Sequence, residues 1–375
     1  MASKQGFNIQ RVLRFIVINF PVVVTEGKNV SILIIVIVMI FILFTLATHF
    51  VIFVFIISMI YPHFVAVFRA QSVSAGMPFS LDRSRNMAAG YRIFNVVLAR
   101  RIQVSPSLLR CVFTGPEVAQ MKHESPDQRI KLLFAEDGED TASMAVSDTW
   151  YQDYLALPKA KRPVMRTYTL RELRVDAQEV DVEFVLHGDG GPASRWATHA
   201  RPGDALQMVA PNGASDENSG GYEWLDNDSV RQALLIADET ALPAAMGILE
   251  QLAKKTNPPR VQAFFTVPHE ADFQLQDFPF ADVHWLARDR QDDLLSVVER
   301  EVTIPAYALA REQSTEENSL DGELLWERAR EAAGFQAWVA AESTLVKNLR
   351  RSLIEKQQLN RDCASFMAYW AQGRA

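Results

Sequence analysis

The spacing of hydrophobic and polar positions changes three times along the chain. From Val30 to Tyr61 no charged residue occurs, and the content is Ile, Val, Phe, Leu and Met with scattered Ser, Thr and His49. Coiled as a helix, that run reaches about 45 Å, more than the ~30 Å hydrocarbon core of a bilayer. It predicts a transmembrane helix over 30–61, after an N-terminal segment over 1–29. Residues 62–90 turn to Ser, Arg, Gly and Ala and read as a linker. From Tyr91 to about Pro211 the period shortens to two. In "EVDVEFVL", Val180, Val182, Phe184 and Leu186 share one face and Asp181 and Glu183 the other, the mark of a half-buried strand. "YRIFNVVL", "RIKLLF" and "ALQMVA" read the same way.

Past the polar loop "PNGASDENSGGYEWLDNDS" the pattern becomes strand, helix, strand. "QALLIAD" is a short apolar strand, and "TALPAAMGILEQLAKK" carries Leu242, Ala245, Leu249 and Leu252 at helical spacing until Asn257-Pro258-Pro259 stops it. "VQAFFTV", "DVHWLAR", a helix near 291–301, "QAWVA", "ESTLVKNLRRSLIEKQQL" and "ASFMAYW" continue the alternation. Short strands followed by alternating strands and helices predict a β-barrel over 91–213 and an α/β parallel-sheet domain over 230–375. The acidic "REQSTEENSLDGE" reads as a solvated loop.

Composition narrows the function classes. The 375 residues hold room for two domains, and the formal net charge of −7 argues against a nucleic-acid binder, which needs a basic field. Cys111 and Cys363 stand far apart, outside any C-x-x-C pair, so a disulfide framework or zinc site is not expected, and a reducing compartment fits. No His/Asp/Glu cluster suggests a bound metal. Lys4, Arg11, Arg14 and Lys28 precede the apolar run while Arg69 alone follows it closely, which by the positive-inside rule leaves the body outside. A hairpin through Phe15–Val24 would return the body to the cytoplasm, and a start at Met77 or Met87 would remove the anchor.

Two stretches carry candidate chemistry. In "RTYTLR", Arg166 can pair with a pyrophosphate, Tyr168 can lie against a flavin ring and Thr169 can offer a hydroxyl or amide to its N5 edge; read alone, the string is equally an exposed barrel strand. In "VLHGDGGPASRWA", Pro192 suits a first helical position and the glycines allow close backbone approach, so free amides at a helix start can face an anion. There His187 and Trp196 can pack beside a nucleotide, or be a turn histidine and a core aromatic. Ser194 lies in no nucleophile elbow and has no paired His/Asp pattern, so serine hydrolysis is not indicated.

"RPVMRTYTLR", "VDVEFVLHGDGGPASRWA", "GDALQMVAPNG", "LLIADETALPAA", "VHWLAR" and "WVAAESTLVKNLRRSL" occur in one order. Together they resemble the siderophore-interacting protein family of FAD-dependent ferric-siderophore reductases, over about 91–373, with "SPSLLRCVFTGPEVAQM" and "DQRIKLLF" similar to its opening strands. The resemblance implies a ferredoxin reductase-like pair of domains, with FAD on the barrel and NADPH or NADH on the α/β domain. Flavin contacts would come from Arg166, Tyr168, Thr169, Arg171, His187, Gly191, Pro192, Ala193, Ser194 and Trp196. Nicotinamide contacts would come from Asp238, Glu239, Thr240, Ala241, Leu242 and Glu342. The implied reaction passes electrons from NAD(P)H through FAD to Fe(III) in a siderophore and releases Fe(II). Lys131, Lys159, Lys161 and Arg162 are basic candidates for meeting an anionic ferric chelate. Because reduced nicotinamide is cytoplasmic, the expected location is the cytoplasmic face of the inner membrane, against the simplest charge count.

The sequence departs from the family pattern in its second half. Ala237, Ala341 and Ala368 stand where Gly is usual, and Ala371 stands where Arg is usual. Methyl groups at nucleotide-facing turns would cost close approach. The departures leave open a reductase with a ferredoxin donor or a non-siderophore acceptor. A non-catalytic siderophore-binding or membrane scaffold protein is the alternative from another class. Lys347, Arg350 and Arg351 are candidates for a 2′-phosphate, or simply a solvated helix face.

Overall fold

The computed structural model describes residues 90–135, 144–147, 149–310, 324–331 and 334–373. The expected anchor over 30–61, the segment before it, all but the last residue of the linker over 62–90 and the whole acidic loop 311–323 lie outside these residues. Among the described residues no helix is long and apolar enough to cross a membrane.

The first half is one antiparallel sheet. Its strands are β1 (Tyr91–Ser105), β2 (Leu108–Thr114), β3 (Arg129–Phe134), β4 (Val164–Thr169), β5 (Glu172–Arg174), β6 (Glu179–Val185) and β7 (Ala205–Pro211). Their order is β4-β3-β7-β1-β2-β6-β5, and β4 comes round against β6, so the sheet is curled into a half-barrel. Two short helices accompany it, α1 (Trp150–Ala156) and α2 (Pro192–His199). The inward face packs Phe94, Val96, Leu98, Phe113, Leu132, Val182 and Phe184 against Ala193 and Ala197 of α2. Helix α1 closes the other face: Trp150 is buried with Ile93, Leu133 and Val209, and its Nε1–H donates to the Tyr91 carbonyl at 3.1 Å. Seven residues are too few for helical periodicity to register, so α1 leaves no mark in the hydrophobic pattern.

Strand β6 departs from the half-buried expectation. Val180, Val182 and Phe184 do face the core, but Asp181 and Glu183 on the opposite face are buried as well. Arginines enclose them. Arg110, directly across from Glu183 on β2, donates to it at 2.9 and 2.6 Å, and Arg174 of β5 binds Asp181. A buried carboxylate persists only when paired and hydrogen-bonded. Alternation along one strand cannot show partners arriving from two others.

The second half is a six-stranded sheet of β8 (Gln232–Asp238), β9 (Arg260–Val267), β10 (Ala281–Ala287), β11 (Trp326–Glu327), β12 (Phe335–Glu342) and β13 (Ala364–Trp370), in the order β10-β9-β8-β12-β13-β11. All neighbours are parallel except β11, which runs antiparallel to β13. Helices α3 (Leu242–Ala253), α4 (Leu294–Glu301) and α5 (Ser343–Arg351) cover both faces. Strand β8 shows why its sequence is apolar throughout: Leu235 and Ala237 meet α3, while Leu234 and Ile236 meet α4 and α5.

The two sheets are joined through Asp127, which is almost fully buried. Its carboxylate accepts from Ser125 Oγ at 2.8 Å, the Glu223 and Trp224 amides at 2.8 and 2.9 Å, and Trp338 Nε1 of β12 at 3.0 Å. One side chain thus ties the barrel, the connecting segment and the second sheet.

Candidate active site

Strand β4 carries "RTYT" at the free end of the first sheet. The Leu170 amide donates to the Gln128 carbonyl at 2.8 Å, and the register pairs Tyr168 with Ile130. Antiparallel pairing alternates, so the backbone groups of Met165, Thr167 and Thr169 point away from β3, along the open edge. Arg166 donates from Nη1 to the Met165 carbonyl at 3.1 Å and pairs with no carboxylate among the described residues. The Tyr168 ring packs on Phe184 at 4.6 Å, and burial pushes its phenol above its ordinary value.

The glycine-rich turn follows β6. Gly188 has φ +82°, the left-handed region, which glycine occupies without a steric penalty. Helix α2 then begins with Pro192 at its first position and Gly191 at its cap, and no side chain caps it. The Ala193 and Ser194 amides therefore have no intrahelical acceptor. Ser194 is buried, and its Oγ accepts from the His187 amide at 3.1 Å, pinning the turn to the helix. The His187 side chain is exposed. Trp196 stacks on Phe113 at 5.8 Å and lies 5.9 Å from Phe184 and 6.1 Å from Phe134, so it is part of the aromatic core under the turn. Phe184 touches both Tyr168 and Trp196, and this brings the β4 edge and the α2 start together. A cation without a carboxylate, edge amides, an aromatic face and an uncapped helix start form a donor set that fits a flavin dinucleotide.

Arg171 does not join that set. Its guanidinium forks onto Glu250 of α3 at 2.8 and 2.6 Å, with Glu183 at 3.6 Å behind. Among the basic candidates, Lys131 lies beside β4 with Nζ 3.2 Å from Thr167 Oγ1, and burial with the nearby Arg129 guanidinium lowers it to about 8. Lys159 and Lys161 are exposed on a short turn. Arg162 folds back onto the Leu157 and Leu155 carbonyls at 2.9 and 2.5 Å, closing the end of α1.

In the second sheet β8 and β12 are neighbours with crossovers leaving in opposite directions, the switch point where open α/β sheets bind ligands. Asp238 and Glu342 end these two strands. Asp238 is buried and accepts from Thr240 N and Oγ1 at 2.9 and 2.5 Å, Ala241 N at 3.3 Å, Glu342 N at 2.8 Å and Trp370 Nε1 at 2.8 Å. Burial and the adjacent Glu239 push it up to about 6. Five donors occupy both oxygens, so Asp238 shapes the crevice rather than reaching into it. Glu239 is held by Arg288 at 2.7 and 2.6 Å. Glu342 caps α5 through the Thr344 and Leu345 amides at 2.6 and 3.1 Å, so that helix start already holds an anion, unlike α2. Ala241 and Leu242 begin α3 and are buried. Arg350 pairs with Glu327 at 2.9 Å, while Lys347 and Arg351 are exposed.

The three alanines in glycine positions are not at turns. Ala237, Ala341 and Ala368 are 0%, 0% and 1% exposed within β8, β12 and β13, and Ala237 and Ala341 belong to the apolar packing on the two faces of the sheet. Residues bearing on the crevice that sequence reasoning passed over are Trp370, 40% exposed beside Asp238, and Arg288. Both fall inside quoted strings, "MAYW" and "VHWLAR", but strand period alone does not show which side chain bends back over the strand ends. An open pocket of about 940 Å³, lined among others by Glu124, Trp224, Asp226, Arg328 and Glu331, shares no residue with either candidate set. Among the described residues no group of His, Cys, Asp and Glu gathers to hold a metal.

Residues 97–215 match the model of a siderophore-interacting FAD-binding domain, and residues 230–373 match that of a siderophore-interacting protein. The chain is 26% identical over 276 residues to the ferric vibriobactin reductase ViuB of Vibrio cholerae, covering 73% of this chain and 88% of that one. It is 25% identical over 283 residues to the NADPH-dependent ferric-chelate reductase of Escherichia coli, covering 74% and 93%. Its fold superposes on the siderophore-interacting protein SipS of Aeromonas hydrophila with a TM-score of 0.55 at 25% identity, covering 76% of this chain and 93% of that one.

Proposed function

The chain belongs to the siderophore-interacting protein family, and from that premise we propose that it is an FAD-dependent reductase of ferric siderophores using NADPH or NADH. Bound FAD would supply the chemistry that couples a two-electron nicotinamide donor to one-electron ferric acceptors, so that one donor would serve two ferric ions. Ferrous iron, of lower charge, binds hard oxygen chelators far more weakly and is released. The observation that carries the reading is the shared packing of Tyr168 and Trp196 on Phe184, which joins the "RTYT" edge to the uncapped start of α2.

The chain's own groups then divide the work. Arg166 and the Ala193 and Ser194 amides would hold the pyrophosphate, and Tyr168 with the Thr167 and Thr169 edge groups would hold the ring. The crevice between Asp238 and Glu342 would take the nicotinamide, and Lys131 would draw the anionic chelate. Purified protein is expected to be yellow, to bleach anaerobically with NADPH or NADH, and to form Fe(II) trapped by a ferrous chromophore when a ferric siderophore is added. Protein that binds no added FAD defeats the proposal. The ferredoxin-donor reading drew on four alanine substitutions: the methyls of Ala237, Ala341 and Ala368 are buried in the sheet and lend it no support, which leaves it resting on Ala371, just past the end of β13.

A membrane tether through 30–61, with the catalytic domains on the cytoplasmic side, remains part of the proposal on the strength of that uncharged run. Carbonate-resistant membrane fractionation together with protease protection of the catalytic domains in right-side-out vesicles is the expected result. Recovery of full-length protein in the soluble fraction counts against it.

A further inference from the structure

Arg171 lies two residues past Thr169 on the chain that forms the proposed flavin edge, and its side chain is only 9% exposed. Both of its terminal nitrogens bind the two oxygens of Glu250, a bidentate fork between charged groups. Glu250 belongs to α3, the helix that begins at the Thr240–Ala241 turn of the nicotinamide crevice. The same face of α3 is pressed on the barrel. Three residues before Glu250, a Cβ at Gly247 would stand 3.1 Å from Pro126 Cβ and 3.3 Å from the Pro126 carbonyl, so helix and barrel loop approach so closely that even a methyl would need the loop to give by a few tenths of an ångström. Gln251 accepts from the indole of Trp224 in the connecting segment at 3.1 Å. Of these contacts only the fork joins the end of the flavin strand directly to the helix that carries the donor turn. Glu183, 3.6 Å from Arg171 Nε, holds the guanidinium from the barrel side so that it cannot swing with α3.

We propose that Arg171 and Glu250 are positioning residues that set the nicotinamide crevice at its working distance from the flavin edge, which takes Arg171 out of the flavin-binding set. The proposal rests on the reductase reading above. Reaction between two bound partners depends steeply on their separation, and a misplacement near 1 Å can cost about a hundredfold in rate. Loss of the fork therefore slows flavin reduction by the nicotinamide and leaves untouched the steps that do not need the second domain.

The test uses the full chain loaded with FAD, with Glu250→Gln removing the charge and Glu250→Lys opposing it to Arg171. Stopped-flow reduction by NADPH or NADH is expected to slow about tenfold in Glu250→Gln and further in Glu250→Lys. FAD affinity stays within twofold of wild type, as does the rate at which photoreduced protein passes electrons to a ferric hydroxamate chelate. Arg171→Gln should match Glu250→Gln, and the double variant should lose no more than either single one, since both remove the same contact. Unchanged reduction rates in the Glu250 variants overturn the proposal. So does an equal fall in both half-reactions, which marks general loosening, and so does loss of FAD from Arg171→Gln. Failure of the reductase reading looks different: wild-type protein itself would then take up no flavin.

Discussion

Replacing Arg166 by Ala separates a flavin ligand from a structural arginine. In the structure the guanidinium donates only to the neighbouring Met165 carbonyl and pairs with no carboxylate among the described residues, so its removal strands no buried charge. The protein without flavin should lose no more than about 0.5 kcal/mol of stability, the range of a substitution away from buried networks. A hydrogen bond from a guanidinium to a phosphate is worth roughly 1.5–3 kcal/mol, which converts to about 10- to 150-fold in the FAD dissociation constant. Riboflavin, which has the ring but no phosphate, should bind wild type and Arg166→Ala equally. The assay is fluorescence titration of the flavin-free protein with each flavin, alongside a thermal melt. Equal losses for FAD and riboflavin would falsify the pyrophosphate assignment, because the arginine would then act on the ring or through the fold. A drop of several degrees in the flavin-free melt would refute the claim that Arg166 is structurally idle.

Three more outcomes follow from particular contacts. Asp127→Ala leaves the Glu223 and Trp224 amides and the Trp338 indole without their acceptor, and should cost roughly 3–5 kcal/mol in denaturant unfolding; a loss under about 1 kcal/mol would mean that water replaces the carboxylate. Gly247→Ala gains helix propensity but presses on a proline ring and a backbone carbonyl, both stiff groups that must give by a few tenths of an ångström, so a net loss of about 1–2 kcal/mol is expected by the same measurement, and a stabilised variant would show that the Pro126 loop or α3 yields at no cost. Lys131 is charged below about 8 and neutral above it, so the KM for an anionic ferric chelate should rise as pH passes from 7 to 9, and Lys131→Arg should flatten that rise. A KM that climbs identically in Lys131→Arg removes Lys131 from the chelate's path.

What local pattern can register, the sequence carried by itself. Period two placed β1, β3, β6 and β7, the strand–helix alternation placed the parallel sheet, and Pro192 after a glycine-rich turn marked the start of α2, because dihedral preference and side-chain alternation are properties of adjacent residues. The strings "RTYTLR" and "HGDGGPASRWA" likewise singled out Arg166, Tyr168 and the start of α2 as candidates, but that Tyr168 and Trp196 meet on Phe184 is a tertiary fact. The tertiary structure decided whatever depends on a partner distant in the chain. Asp181 and Glu183 read as a solvent face and proved buried under three arginines; Arg171 read as a cofactor contact and proved to grip Glu250, 79 residues away. Ala237, Ala341 and Ala368 read as obstructions at turns and proved to be buried methyls, one or two positions inside the ends of their strands. In each case the residue type was compatible with both roles. What separates them is which oppositely charged or apolar group the fold brings within a few ångströms, and only the paired sheets and the docked helix fix that.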